Sequence, residues 1–199
     1  RLATTASLRP FFQPKSVAII GVSRNPNKIG YRLLDAITTG RFRGAVYPVN
    51  PMATDIKEIR TYPSMQDLPE PVDLAIIAVP RDSVSSIIDE CAAKGIRACV
   101  IITAGFAEVG PAGAALQQQL VTKVRQYGMR MIGPNCFGIL NTDPNIQLNA
   151  TFTTLCPPRG RAAMSSQSGA IGIATLAGAR RFHLGISSFV SVGNKADVS

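Results

Sequence analysis

Asn135 and Cys136 stand in the turn Gly133-Pro134-Asn135-Cys136, directly after the apolar run Met129-Arg130-Met131-Ile132. An amide and a thiol are thereby delivered at the C-terminal end of a predicted strand, where open α/β sheets hold ligands. The carboxamide of Asn135 offers both a donor and an acceptor and suits the orientation of a carbonyl or phosphate. A thiol attacks only as thiolate, and no activating histidine is identifiable near Cys136, so its reading is a small side chain packed in a tight turn. A second stretch, Ser165-Ser166-Gln167-Ser168-Gly169, opens a predicted helix. Free N–H groups and the hydroxyls of Ser166 and Ser168 make Ser166, Gln167, Ser168 and Gly169 candidates for binding phosphate. Simple N-capping accounts for the same serines. A third, Gly21 to Pro26, follows the first apolar run: Gly21 permits close backbone approach, Ser23 supplies a hydroxyl, and Arg24, Lys28 and Arg32 add positive charge at a helix start.

The third stretch invites comparison with a dinucleotide fingerprint and fails it. Ser23 and Pro26 occupy the second and third glycine positions of G-x-G-x-x-G, and the second strand ends in Val49-Asn50-Pro51 without a carboxylate. NAD is therefore disfavoured, and no G-x-x-x-x-G-K-[ST] loop is present. His183, the sole histidine, follows Arg180-Arg181-Phe182 at a helix end, where an imidazole commonly sits against terminal carbonyls.

The elements that must position these groups follow from periodicity. Five apolar, β-branched runs, 17–21, 45–49, 72–79, 97–103 and 129–132, read as strands buried on both faces. Between them fall helices over 28–39, ending at Gly40, over 82–94, from Asp82 to Gly95, and over 111–127, with Pro111 in the first turn and Gly128 past the end. The expectation is a Rossmann-like, doubly wound parallel α/β sheet with strand order 3-2-1-4-5, whose switch point lies between the turns after strands one and four. Residues 133–160 lose periodicity, carry four prolines, and read as a long surface connection. A strand over 161–164, a helix over 170–181 and a strand over 186–192 then open a second α/β domain of flavodoxin-like type. The expected division is 8–140, a linker over 141–160, and 161–199 as the first part of a second domain.

Composition narrows the classes. With 46% apolar residues in 199, a proper core is affordable. No run of 18 apolar residues and no basic-then-apolar leader is present, so the expectation is a cytoplasmic protein that does not bind membranes. Four cysteines without C-x-x-C or histidine partners argue against a metal site or disulfides. The net charge of +9 favours a polyanion, but the basic residues are scattered and no nucleic-acid motif appears, which leaves a phosphorylated cofactor. The start at Arg1 and stop at Ser199 read as an excerpt of a longer protein.

Taken in order, Val17 to Pro26, Gly133-Pro134-Asn135-Cys136 and Ser165 to Gly169 resemble the CoA ligases, namely ADP-forming acyl-CoA (acetate–CoA) synthetases and succinyl-CoA synthetase alpha subunits. The resemblance covers nearly the whole chain. It implies a CoA-binding domain holding coenzyme A through Gly21, Ser23, Arg24, Lys28, Val49, Asn50, Pro51, Ile102, Thr103 and Ala104, with the diphosphate at the first helix N-terminus. It implies supporting roles for Asn135, Ser166 and Ser168 near the reacting groups, and ADP or ATP with Mg held by domains outside this chain. Where succinyl-CoA synthetases carry a CoA-contacting lysine, this chain has Ala53, with Lys57 as the candidate substitute. The implied reaction is acyl-CoA, ADP and phosphate to acid, CoA and ATP, through acyl phosphate and a phosphohistidine whose local motif this chain lacks. Asn149 to Phe152 and Gly193 to Asp197 look closer to the acetyl than to the succinyl type. The alternative is an inactive CoA or acetyl-CoA sensor fused to a protein lysine acetyltransferase; partners in either case are CoA, acyl-CoA and the remaining ligase domains or subunit.

Overall fold

The computed structural model describes residues 2–198, with side chains from residue 6 onward. The first sheet is parallel and built from β1 (Ser16–Ile20), β2 (Ala45–Val49), β5 (Leu74–Ile77), β6 (Ala98–Ile101) and β7 (Arg130–Ile132). Every residue of β1, β5 and β6 is buried, as sequences apolar at every position but Ser16 require. Alternate residues serve opposite faces. Ala18, Ile20, Ala75, Ile77, Cys99 and Ile101 pack with helices α3 (Arg81–Ala93) and α4 (Pro111–Gln126). Val17, Ile19, Leu74, Ile76, Ala98 and Val100 pack with α1 (Leu2–Phe12) and α2 (Ile29–Thr39). Gly95 and Gly128, both at positive φ, follow the ends of α3 and α4, and Pro111 opens α4, as the punctuation predicts.

The strand order corrects one expectation. The sheet runs β2-β1-β5-β6-β7, which is 2-1-3-4-5 in terms of the five predicted runs and not 3-2-1-4-5. The third run pairs with the first, Val17 opposite Leu74 through Ile20 opposite Ile77, so order reverses between β1 and β5. Both orders bury the same apolar strands, and only the long-range pairing separates them.

A second correction concerns 133–160. This stretch contains β8 (Gly138–Asn141) and β9 (Leu148–Thr151), with β9 buried throughout. They form an antiparallel pair and join β10 (Arg159–Ser166) and β11 (Ile186–Ser191) in a mixed sheet of order β10-β11-β8-β9. Ile139, Leu148 and Ala150 share a core with Phe11, Leu33 and Ile37, so α1 and α2 lie between the two sheets. Helix α5 (Gly169–Arg181) covers the far face through Leu176 against Phe137, Leu140 and Phe189. A Cβ on Gly172 would stand 2.6 Å from the Phe189 ring, so the helix packs most closely with glycine at that position. Helix α1 and the hairpin β3 (Asp55–Ile56) and β4 (Ile59–Arg60) had no counterpart among the predicted elements. Among the described residues no helix is long and apolar enough to cross a membrane.

Candidate CoA site

The reversal between β1 and β5 opens a crevice at their carboxyl ends. Gly21 turns the chain at φ 93°, and a Cβ there would lie 2.4 Å from the Ala78 carbonyl oxygen. Gly30, one residue into α2, is equally tight: its Cβ would meet the Gly21 carbonyl oxygen at 2.0 Å. Glycine at both positions lets the α2 N-terminus seat directly on the turn. Lys28 takes the N-cap position in extended conformation without a side-chain cap, so the first N–H groups of α2 stay available for an anion. Asn50 closes the wall, donating from Nδ2 to the Val22 carbonyl at 2.6 Å while its Oδ1 accepts from Met52 N–H at 2.7 Å. The resulting cavity of about 490 Å³ is lined by Gly21, Ser23, Lys28, Asn50, Val79 and Pro80, among others.

A second cavity of about 440 Å³ adjoins it, and Ile29 lines both. Its walls are the turn after β6, Ile102 to Ala104; the turn after β7, where Asn135 sits at φ 55°; and the start of α5, Gln167 to Gly169. The turns are stitched together by hydrogen bonds. Thr103 Oγ1 donates to the Val79 carbonyl at 2.7 Å, and Asn135 N–H donates to the Thr103 carbonyl at 2.9 Å. Ser168 caps α5 by accepting from Ile171 N–H at 3.3 Å, and Ser166 Oγ donates to the Ser168 carbonyl at 2.8 Å. The arrangement is an extended groove with a helix N-terminus at each end.

A family model described as CoA binding domain matches residues 15–142. The chain belongs to this CoA-binding family. A second model, the succinyl-CoA ligase-like flavodoxin domain, matches residues 159–199. Among curated relatives, the alpha subunit of acetate–CoA ligase [ADP-forming] I of Pyrococcus furiosus is 42% identical over 96% of this chain and 42% of its own length. The acetate–CoA ligase [ADP-forming] of Methanocaldococcus jannaschii is 44% identical over 93% of this chain and 25% of its own. The acetyl-coenzyme A synthetase 1 of Ca. Korarchaeum cryptofilum, solved with phosphate and ADP, superposes with a TM-score of 0.92 at 44% identity, covering 96% of this chain and 40% of that one. The chain thus spans less than half the length of each relative. These relatives are ligases or a synthetase by name, which gives the acetyltransferase alternative no support.

Within this CoA-binding chain the predicted residues divide in three. Gly21, Ser23, Lys28 and Asn50 line the first cavity; Ile102, Thr103, Ala104, Asn135, Gln167, Ser168 and Gly169 line the second. Arg24, Val49, Pro51 and Ser166 line neither. Arg24 reaches the hairpin, pairing with Asp55 at 3.5 Å, and Val49 is buried in the core with its carbonyl taken by Gly21 N–H at 3.2 Å. Lys57 pairs with Asp35 and lies over the Tyr31 ring, both on α2. Cys136 is buried with its thiol against the Ile101 carbonyl, and burial pushes its pKa up to about 12, so it stays protonated. His183 sits at the C-terminal end of α5, opposite the end that lines the cavity. Val79 and Pro80 escaped the sequence reading because the wrong strand order placed the switch point at strand four. Their signal was available: Val79-Pro80 ends the third run much as Val49-Asn50-Pro51 ends the second.

Proposed function

We propose that this chain is the CoA-binding part of an ADP-forming acyl-CoA ligase, catalysing acyl-CoA, ADP and phosphate to acid, CoA and ATP together with ligase domains or a subunit outside it. The observation that carries this reading is the continuity of the two cavities at Ile29. CoA is a long substrate with an anionic nucleotide at one end and a thiol at the other. The uncapped start of α2, with Lys28 and Ser23, suits its diphosphate, while Asn135 and the start of α5 stand where the thiol end would meet a phosphorylated acyl group. The chain's own contribution is to bind and orient CoA; phosphoryl transfer needs a histidine and ADP or ATP with Mg, supplied by the remaining ligase. Acetate is the acyl acid favoured by the relatives' names. The proposal includes a division into a CoA-binding unit over 8–140 and the opening of the ligase unit over 161–199, and a cytoplasmic location.

Calorimetric titration tests it directly. CoA is expected to bind in the micromolar range, more weakly as salt rises, because Lys28 and the start of α2 face a ligand that carries several phosphate charges. Dephospho-CoA should bind less tightly and NAD not measurably. Folded protein that prefers NAD, or ignores CoA, would sink the reading.

A further inference from the structure

The side chain of Asn135 is the end of a relay that starts at Glu108, on the short 3₁₀ turn Ala107–Val109 after β6. Glu108 Oε1 accepts from the backbone N–H groups of Gly105 and Phe106, the latter at 3.2 Å, and Oε2 accepts from Asn194 Nδ2 at 2.6 Å. Burial alone would raise its pKa, but the hydrogen bonds from Asn194 and these amides outweigh burial and hold it below the usual carboxylate value, so at neutral pH it only accepts. Gln117 reinforces the direction. Its Oε1 takes the Ala107 N–H at 3.4 Å, a group that can only donate, and the same oxygen accepts from Asn194 Nδ2 at 2.9 Å. Two acceptors facing Nδ2 leave Asn194 one orientation, with Oδ1 turned to Asn135. Asn135 must then donate from Nδ2, at 3.3 Å, which leaves its own Oδ1 without a donor from any described residue. The backbone locks the contact: a Cβ on Gly193 would stand 2.4 Å from the Pro134 carbonyl oxygen, and Asn194 N–H donates to that oxygen at 2.9 Å.

We infer that Glu108, acting through Asn194, is a positioning residue that fixes the amide of Asn135 so that its oxygen faces the cavity as an acceptor for an N–H or S–H donor of the pantetheine arm of CoA. This rests on the CoA reading above. A randomly flipped Asn135 would present N–H to the same donor half the time and repel it; the ionised carboxylate at the far end removes that state. The same carboxylate ties the turn at Gly105 and Phe106, so one residue coordinates two walls of the groove.

The test uses the ¹⁵N-labelled protein, with the Asn135 and Asn194 side-chain amide resonances followed by NMR. CoA and adenosine 3′,5′-bisphosphate, which lacks the pantetheine arm, are titrated in parallel. Glu108→Gln replaces an acceptor with a donor, and should shift both amide resonances, weaken CoA about tenfold, and leave the bisphosphate unchanged. Asn194→Ala spares the Gly105 and Phe106 amides and should reproduce the Asn135 shift and the CoA loss if Glu108→Gln does not fold. Asn135→Ala combined with Glu108→Gln should cost no more than Asn135→Ala alone. Unmoved Asn135 resonances, equal weakening of CoA and the bisphosphate, or fully additive losses would each overturn the inference. Wild-type protein that binds neither ligand would fail the CoA reading, and with it the assignment of the donor, whereas the resonances measured without ligand decide the relay separately.

Discussion

Gly21 shows how much of the site depends on a missing side chain. It combines a φ of 93° with a backbone approach that leaves a Cβ only 2.4 Å from the Ala78 carbonyl oxygen. Alanine would be strained by conformation and by contact, and relief means pulling β1 and β5 apart at the switch point. Gly21→Ala is expected to lower stability by about 2–4 kcal/mol and CoA affinity by more than tenfold. Urea denaturation and calorimetry measure the two effects; a folded variant with wild-type affinity would remove Gly21 from the site. Gly21, Ser23 and Lys28 were legible from sequence because a turn after a buried strand has a recognisable composition, whereas Asn50 entered only through the family resemblance. Glu108 was not, since its role depends on Asn194, 86 positions later.

At the scale of elements, the segment after β11 serves as a cover for β7, the edge strand of the first sheet. Asn194, Ala196 and Val198 donate their N–H groups to the carbonyls of Pro134, Gly133 and Met131 at 2.9, 3.3 and 3.2 Å. An open sheet edge is thereby paired. Asp197, whose side chain is only 4% exposed, secures the segment by accepting from Arg130 at 2.8 Å, from Arg125 at 3.3 Å and from Met131 N–H at 3.1 Å. Arg125 is 60% exposed and adds little, whereas Arg130 is 26% exposed and loses a real partner. Asp197→Asn is expected to destabilise by about 1–3 kcal/mol and to speed hydrogen exchange at the Met131 amide. A change below about 0.5 kcal/mol, within the range of ordinary surface substitutions, would show that the backbone bonds suffice without the ion pair.

The whole molecule carries a pH dependence set by its interior. Cys91, Cys99 and Cys136 are all buried, and burial raises each thiol from the ordinary 9.0, to about 12 for Cys91 and Cys136 and well above the ordinary value for Cys99. Above pH 9 the unfolded chain releases these protons while the folded chain keeps them. Their contribution to stability is therefore fully present below about pH 9 and is lost as pH rises towards 12. Tyr47, raised first by burial and then by Glu70, acts in the same direction. Thermal melts should be flat in this respect at neutral pH and fall steadily above pH 9, less steeply in Cys136→Ala. Below pH 9 a thiol reagent should label exposed Cys156 alone in the native state; labelling of all four would show that the core opens.

The sequence by itself determined the parts whose cause is local. Strands β1, β5 and β6 are apolar at every position but Ser16 because both faces are covered, helices α2 to α4 are bounded by proline and glycine, and the turns at Gly21, Asn135 and Ser168 announce their composition. Only the tertiary structure decided which strands became neighbours. A fully apolar strand pairs equally well with any other, so the order β2-β1-β5, which brings the Val79-Pro80 turn beside Gly21 in the crevice, had no local signal. Strands β8 and β9 are four residues each and rich in Gly, Asn and Thr; they are strands because α2 and β11 bury and pair them. The relay from Glu108 to Asn135 belongs to the same category: hydrogen bonds between distant polar side chains have no period to read, and they exist only once the fold has brought them together.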